Sequence, residues 1–149
     1  MAEWVAKGWG GEEILVNNDL YCAKNLYVMK GLQCSLHYHK IKDETFFVQK
    51  GKIKLYYITN SVFSESKDIE FVSRFNHDLE KMAEYLSINK THVLGERNSA
   101  LICKVLNVGD EIHIPPGLPH RFYGVTNAKI LEVSTHSENS DSYRIIKGN

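Results

Sequence analysis

His37 and His39 stand one residue apart, and Glu44 follows at the start of another strand-like run, Glu44-Thr-Phe-Phe-Val-Gln-Lys. Side chains two apart on a strand share a face, so both imidazoles project to the same side. Far downstream, Gly109-Asp-Glu-Ile-His-Ile-Pro115-Pro-Gly117-Leu-Pro-His120 brings a third imidazole. Three imidazoles and one carboxylate form a ligand set for one divalent metal ion. Softness does not choose among Zn, Fe, Mn, Ni and Co for such a set. On an octahedral ion four protein ligands leave two open positions, which two adjacent substrate oxygens could take.

These residues need strands to carry them. Glu12 to Val16 and Leu20 to Met29 read as strands around an Asn17-Asn18-Asp19 turn. Gln33 to His39, Glu44 to Gln49 and Lys52 to Thr59 follow, with Lys50-Gly51 as a tight connection between the last two. Leu101 to Leu106, Glu111 to Ile114, Arg121 to Gly124 and Ala128 to Thr135 complete the set. Many short strands with regular turn signals predict an all-β sandwich or barrel. One stretch departs from this. Phe75, Leu79, Met82 and Leu86 recur at helical spacing within Arg74 to Ile88. It is read as a helical insertion at about residues 60–99, covering an open end of the barrel, with polar, poorly periodic flanks.

Alternation also assigns neighbours. With His37 and His39 inward, Gln33 and Ser35 are expected inward, and Cys34, Leu36 and Tyr38 on the other side. Phe46 and Val48 share the face of Glu44, and Phe122 that of His120. Glu132 sits between Leu131 and Val133, whose apolar character points Glu132 outward, yet it is the best carboxylate candidate for an acid/base. His113 is the alternative proton carrier, though a surface or packing role suits it better. Arg144 in the tail could bind phosphate bidentately, against the plainer reading of a solvated charge. Trp4 and Trp9 read as packing residues of an N-terminal arm.

The chain has 149 residues, 43% hydrophobic and 24% charged, as expected for one globular domain spanning 1–149. Zero net formal charge leaves no basic field for nucleic acid. No apolar run reaches membrane-span length and no secretory signal opens the chain. Cys22, Cys34 and Cys103 are odd in number and lie in strand-like runs, which fits buried thiols and a cytoplasmic location. Exposed sheet edges in such a fold lead to the expectation of a homodimer.

The two elements resemble the signature motifs of the cupin superfamily. The first runs from Gly31 through His37, His39 and Glu44 to Gly51. The second holds Gly109, Pro115, Gly117 and His120, with Gly124 where the family usually has Asn. The resemblance implies a double-stranded β-helix, or jelly roll, with His37, His39, Glu44 and His120 as metal ligands. Lys7-Gly-Trp9-Gly10, Glu132-Val-Ser-Thr-His136 and Asp141-Ser-Tyr-Arg144 are similar to segments of mannose-6-phosphate isomerase-like cupins. Gly8 replaces a proline there, and His37 stands where many bifunctional members have Gln. The likeness implies a sugar or sugar-phosphate isomerase or epimerase, in which the metal polarises a hydroxyl and its neighbouring carbonyl while a separate group moves the proton. Two alternatives stand beside it, an Fe(II)-dependent cupin dioxygenase and a non-catalytic metal-dependent sugar-binding module.

Overall fold

The computed structural model describes residues 2–59, 91–94 and 99–149. Its strands in chain order are β1 (Glu3–Lys7), β2 (Gly10–Asn17), β3 (Cys22–Val28), β4 (Leu36–Tyr38), β5 (Glu44–Lys50), β6 (Ile53–Thr59), β7 (Thr91–Leu94), β8 (Ser99–Leu106), β9 (Glu111–Ile114), β10 (His120–Gly124), β11 (Ala128–Ser134) and β12 (Tyr143–Ile146). They form two six-stranded antiparallel sheets, β1-β2-β3-β11-β5-β9 and β12-β4-β10-β6-β8-β7.

Period-two alternation explains how these strands meet. On β5, Glu44, Phe46 and Val48 are buried while Phe47 is exposed. On β11, Ala128, Ile130 and Glu132 are buried while Val133 is exposed. The apolar members join Leu26, Ile53, Leu55 and Phe122 in one core cluster. Burying a side chain such as Phe46 contributes roughly 1.5–3 kcal/mol relative to leaving it exposed. The same inward faces turn polar toward one end: Glu44 precedes Phe46 on β5, Glu132 follows Ile130 on β11, and His120 precedes Phe122 on β10. The registers Glu132↔Phe46 and Ser134↔Glu44 keep these polar positions together.

Several expectations change. Lys50-Gly51 does not close a hairpin, because β5 and β6 lie in opposite sheets. Gly51 has φ +74°, and a Cβ there would come 2.2 Å from the Asn127 oxygen, so this corner needs glycine. Strand β1 and the tail strand β12 had no expectation behind them. The strand expected over Gln33 to His39 is reduced to β4, with a single bridge between Gln33 and Tyr123. The expected helix at Arg74 to Ile88 lies outside the described residues. Part of the insertion expected at about 60–99 is instead a strand, β7, paired with β8. The helical element among the described residues is a 3-10 turn, Asn139–Asp141. No helix among the described residues is long and apolar enough to cross a membrane.

Candidate metal centre

His120, the first residue of β10, pairs directly with His37 on β4. His39 follows the end of β4, and Glu44 opens β5 in the facing sheet. The three histidines form a group able to hold a metal ion, with ligand atoms all within 4.8 Å of one another. Ring centroids are 4.5 Å apart for His37 and His120, 5.0 Å for His37 and His39, and 5.7 Å for His39 and His120. Glu44 Oε1 lies 2.9 Å from His120 Nε2 and 3.7 Å from His39 Nε2.

Each imidazole is oriented by a backbone oxygen. The Nδ1–H groups donate to Ser35 O from His37 (2.8 Å), to Leu118 O from His120 (2.9 Å) and to Asp141 O from His39 (2.9 Å). A carbonyl only accepts, so each neutral ring carries its proton on Nδ1 and a lone pair on Nε2. This is the usual orientation of metal-ligating histidine. His39 Nε2, His120 Nε2 and Glu44 Oε1 are buried without a well-aligned hydrogen bond. Two acceptors facing at 2.9 Å require a proton or a cation between them. Adjacent ligands held about 2.0–2.2 Å from one ion lie roughly 3 Å apart, so the residues present fit a divalent metal.

Electrostatics favour the ligating forms of His37, His39 and Glu44. Burial, with His120 and His39 close by, holds His37 well below the ordinary histidine value. Burial lowers His39 to about 4. Burial alone would raise Glu44, but His120, Lys42 and His39 hold it below the usual carboxylate range. Neutral imidazoles and an ionised carboxylate are the forms that bind metal. Cys34 is pushed up to about 12, mainly by burial, and the group of converging ligand atoms among the described residues is made by the three histidines without it.

Beside these groups lies a charged trio. Lys42 Nζ is 2.9 Å from Glu44 Oε2 and 3.0 Å from Glu132 Oε2, and all three residues are buried. Burial opposes the Lys42 ammonium, but Glu132 and Glu44 raise it above the ordinary lysine value. Burial, reinforced by Glu44, raises Glu132 despite Lys42. Glu132 therefore faces inward, against the expectation from its neighbours. Leu131 and Val133 belong to the outer face of β11, where Val133 is exposed.

The group opens on a cavity of about 400 Å³, within the range of small-molecule sites. Trp9, Phe46 and Phe122 line its apolar side, with Trp9 edge-on to Phe122 at 4.8 Å. Trp9 is thus a packing residue that also faces the cavity, whereas Trp4 is exposed and tilts over Tyr27. Cys34 and Ser35 both line the cavity, so strict alternation fails before β4 begins. Gln33 is absent from the lining. Arg144 does reach the cavity, since it pairs with His37 across β12 and β4. It stands with Lys7 and Lys147 as an exposed cation on the lining.

His113 stands apart from these groups, where a surface role suits it. It lies on β9, is largely exposed and hydrogen-bonds Asp43 outside the cavity. Lys42 was not singled out from the sequence, although extending the alternation of Glu44 back two residues would have turned it inward. Asp141, also unremarked as a site residue, is buried and binds the backbone of residues 40–42.

The comparisons agree with this architecture. The family described as Cupin matches residues 16–147. The structure of KdgF from Halomonas sp. is similar, with a TM-score of 0.57 at 11% identity, covering 93% of this chain and 91% of that one. The oxalate decarboxylase–formate complex of Lactobacillus farciminis gives 0.62 at 14% identity, covering 96% of this chain and 33% of that one. The capsular polysaccharide assembling protein CapF from Staphylococcus aureus gives 0.62 at 13% identity, covering 98% and 34%. The chain therefore spans about a third of the latter two. No curated protein matches. With two facing antiparallel sheets, histidines from β4 and β10 turned between them, and a family match over most of its length, this chain belongs to the cupin family.

Proposed function

We propose that this cupin is a metal-dependent enzyme that isomerises or epimerises a sugar or sugar phosphate by moving a proton between neighbouring carbons. Residues 1–149 are taken as its one domain. The observation that carries the reading is the Lys42–Glu132 pair, a buried acid–base couple beside the histidines in a small-molecule cavity. Proton transfer needs a group separate from the ligands, and Glu132 meets that need. With His37, His39, Glu44 and His120 holding a divalent ion, the ion would supply Lewis-acid polarisation of two adjacent substrate oxygens.

The remaining work falls to the chain. Glu44 is committed as a ligand and is not a free base. Glu132, raised by burial, takes the proton from one carbon and returns it to the next. Lys42 neutralises Glu132 while it is ionised and aligns its carboxylate. Trp9, Phe46 and Phe122 keep water from one side of the cavity. Arg144, with Lys147 and Lys7, suits an anionic end of the substrate, for which a guanidinium offers a bidentate contact.

The test is elemental analysis of protein purified without chelator, then an anaerobic screen of aldoses, ketoses and their phosphates in deuterated water. Deuterium next to the carbonyl is the expected result. O₂ uptake with another small molecule and no deuterium incorporation would replace this reading with a dioxygenase. Tight sugar binding without turnover would replace it with a binding module.

A further inference from the structure

The three histidines are not oriented in the same way. His37 and His120 each use the carbonyl two residues upstream, Ser35 O and Leu118 O. The chain just ahead of each strand therefore sets these two ring directions locally. His39 lies just beyond β4, and its Nδ1–H reaches Asp141 O, 102 positions away. We propose that Asp141 is the positioning residue of the metal centre, aligning His39 with its backbone oxygen and holding the loop between His39 and Glu44 with its carboxylate. The proposal rests on the reading of His39 as a metal ligand.

The carboxylate contacts are specific. Oδ1 accepts from Lys40 N–H at 2.9 Å and Ile41 N–H at 3.2 Å. Oδ2 accepts from Ile41 N–H at 3.2 Å and Lys42 N–H at 2.9 Å. Three successive backbone N–H groups thus converge on one buried carboxylate, an anion nest filled by the chain itself. The loop so held joins two proposed ligands and carries Lys42. A displacement there would move His39, Glu44 and Lys42 together.

Asp141 is itself anchored. It closes the 3-10 turn with its N–H donating to Glu138 O at 3.1 Å. Two residues on, Tyr143 stacks on Tyr38 at 5.2 Å, and Lys40 Nζ lies 4.5 Å from the Tyr143 ring centroid. Both contacts tie β12 to the strand and loop that it positions. Asparagine at 141 would keep the shape and the backbone oxygen but leave one acceptor. Its NH₂ would face backbone donors, so part of the loop would lose its hold.

The experiment titrates Co(II) alone into wild type, Asp141→Asn and Asn17→Ala. Asn17 fastens the segment upstream of Asp141 by reciprocal bonds to Ser137 and does not touch the loop. Asp141→Asn should weaken Co(II) binding by about 10–100-fold and change the visible absorption spectrum at saturation. Asn17→Ala should lower Tm while leaving affinity and spectrum as in wild type. An Asp141→Asn protein with wild-type affinity and spectrum, and only a lower Tm, overturns the proposal. A second measurement needs no variant. Imidazole ¹⁵N spectra of metal-free wild type at neutral pH should show His39 protonated on Nδ1, and a ring protonated on Nε2 alone overturns the proposal even if Asp141→Asn does not fold. Wild type that binds no Co(II) sinks the metal reading and this inference with it, whereas metal binding indifferent to Asp141 sinks this inference alone.

Discussion

Lys42 Nζ and Glu132 Oε2 lie 3.0 Å apart inside the barrel, brought together from positions 90 residues apart. The lysine comes from the loop before β5 and the glutamate from β11, which pairs with β5. Glu132→Gln preserves the shape and removes the base. It should keep one equivalent of metal and lose about 10²–10⁴ of turnover. His113→Ala, altering a group outside the cavity, should leave the rate near wild type. Metal analysis and steady-state kinetics on both variants check this, and a fully active Glu132→Gln would remove Glu132 from the mechanism.

Lys42→Met tests the same pair through stability. Removing the ammonium leaves Glu44 and Glu132 buried and close to each other without their shared counterion. Breaking a buried pair from one side costs about 3–5 kcal/mol. Urea unfolding of metal-free protein should give a loss of that order. A loss below about 1 kcal/mol would show that the trio is well solvated in solution.

Metal should stabilise the fold as well as serve the chemistry. An ion that binds only the native state raises its stability by mass action. Chelation should therefore lower Tm, and divalent metal should restore it. His39→Ala should abolish stoichiometric binding and make Tm insensitive to chelator. Unchanged metal content in that variant would overturn the ligand assignment.

The pH dependence of metal-free protein has a defined sign. His39 is lowered from 6.5 to about 4 by burial, and His37 moves in the same direction. Between those values the unfolded chain binds protons that the folded chain refuses. The histidine contribution is thus complete above about pH 6.5 and is lost as pH falls toward about 4. Thermal melts across this window should show Tm falling with pH. A Tm that rises on acidification over the same interval would contradict burial of neutral imidazoles.

Arg144 is the residue proposed to meet an anionic end of the substrate. It is directly across from His37 and lines the cavity. Arg144→Ala should raise KM for a phosphorylated substrate about tenfold or more, consistent with loss of a charge-assisted bidentate contact. The unphosphorylated sugar should be little affected. Equal effects on both substrates would remove the anionic-end role.

The sequence alone determined the part of this protein that is local. The one-residue spacing placed His37 and His39 on the same side, although His39 falls just past the end of β4. The period of β5 placed Glu44, Phe46 and Val48 on one inward face, and that of β10 joined His120 to Phe122. The resemblance carried by the two motifs named the family. Other features were decided only by tertiary structure. Glu132 was assigned outward because its apolar neighbours looked like core, but apolar residues also occupy the outer face of β11. The side facing the cavity is set by pairing with β3 and β5. Lys42 reads as a solvated loop lysine until two carboxylates from different strands enclose it. Cys34 and Ser35 both reach the cavity because regular pairing begins only at Leu36. Asp141 is an ordinary polar tail residue until β12 lies beside β4 and sets its carboxylate under three N–H groups of the loop between His39 and Glu44. Side-chain direction along a regular strand follows from covalent geometry. Burial, counterions and the partners of irregular loops depend on which distant segments arrive, and those are fixed by the whole fold.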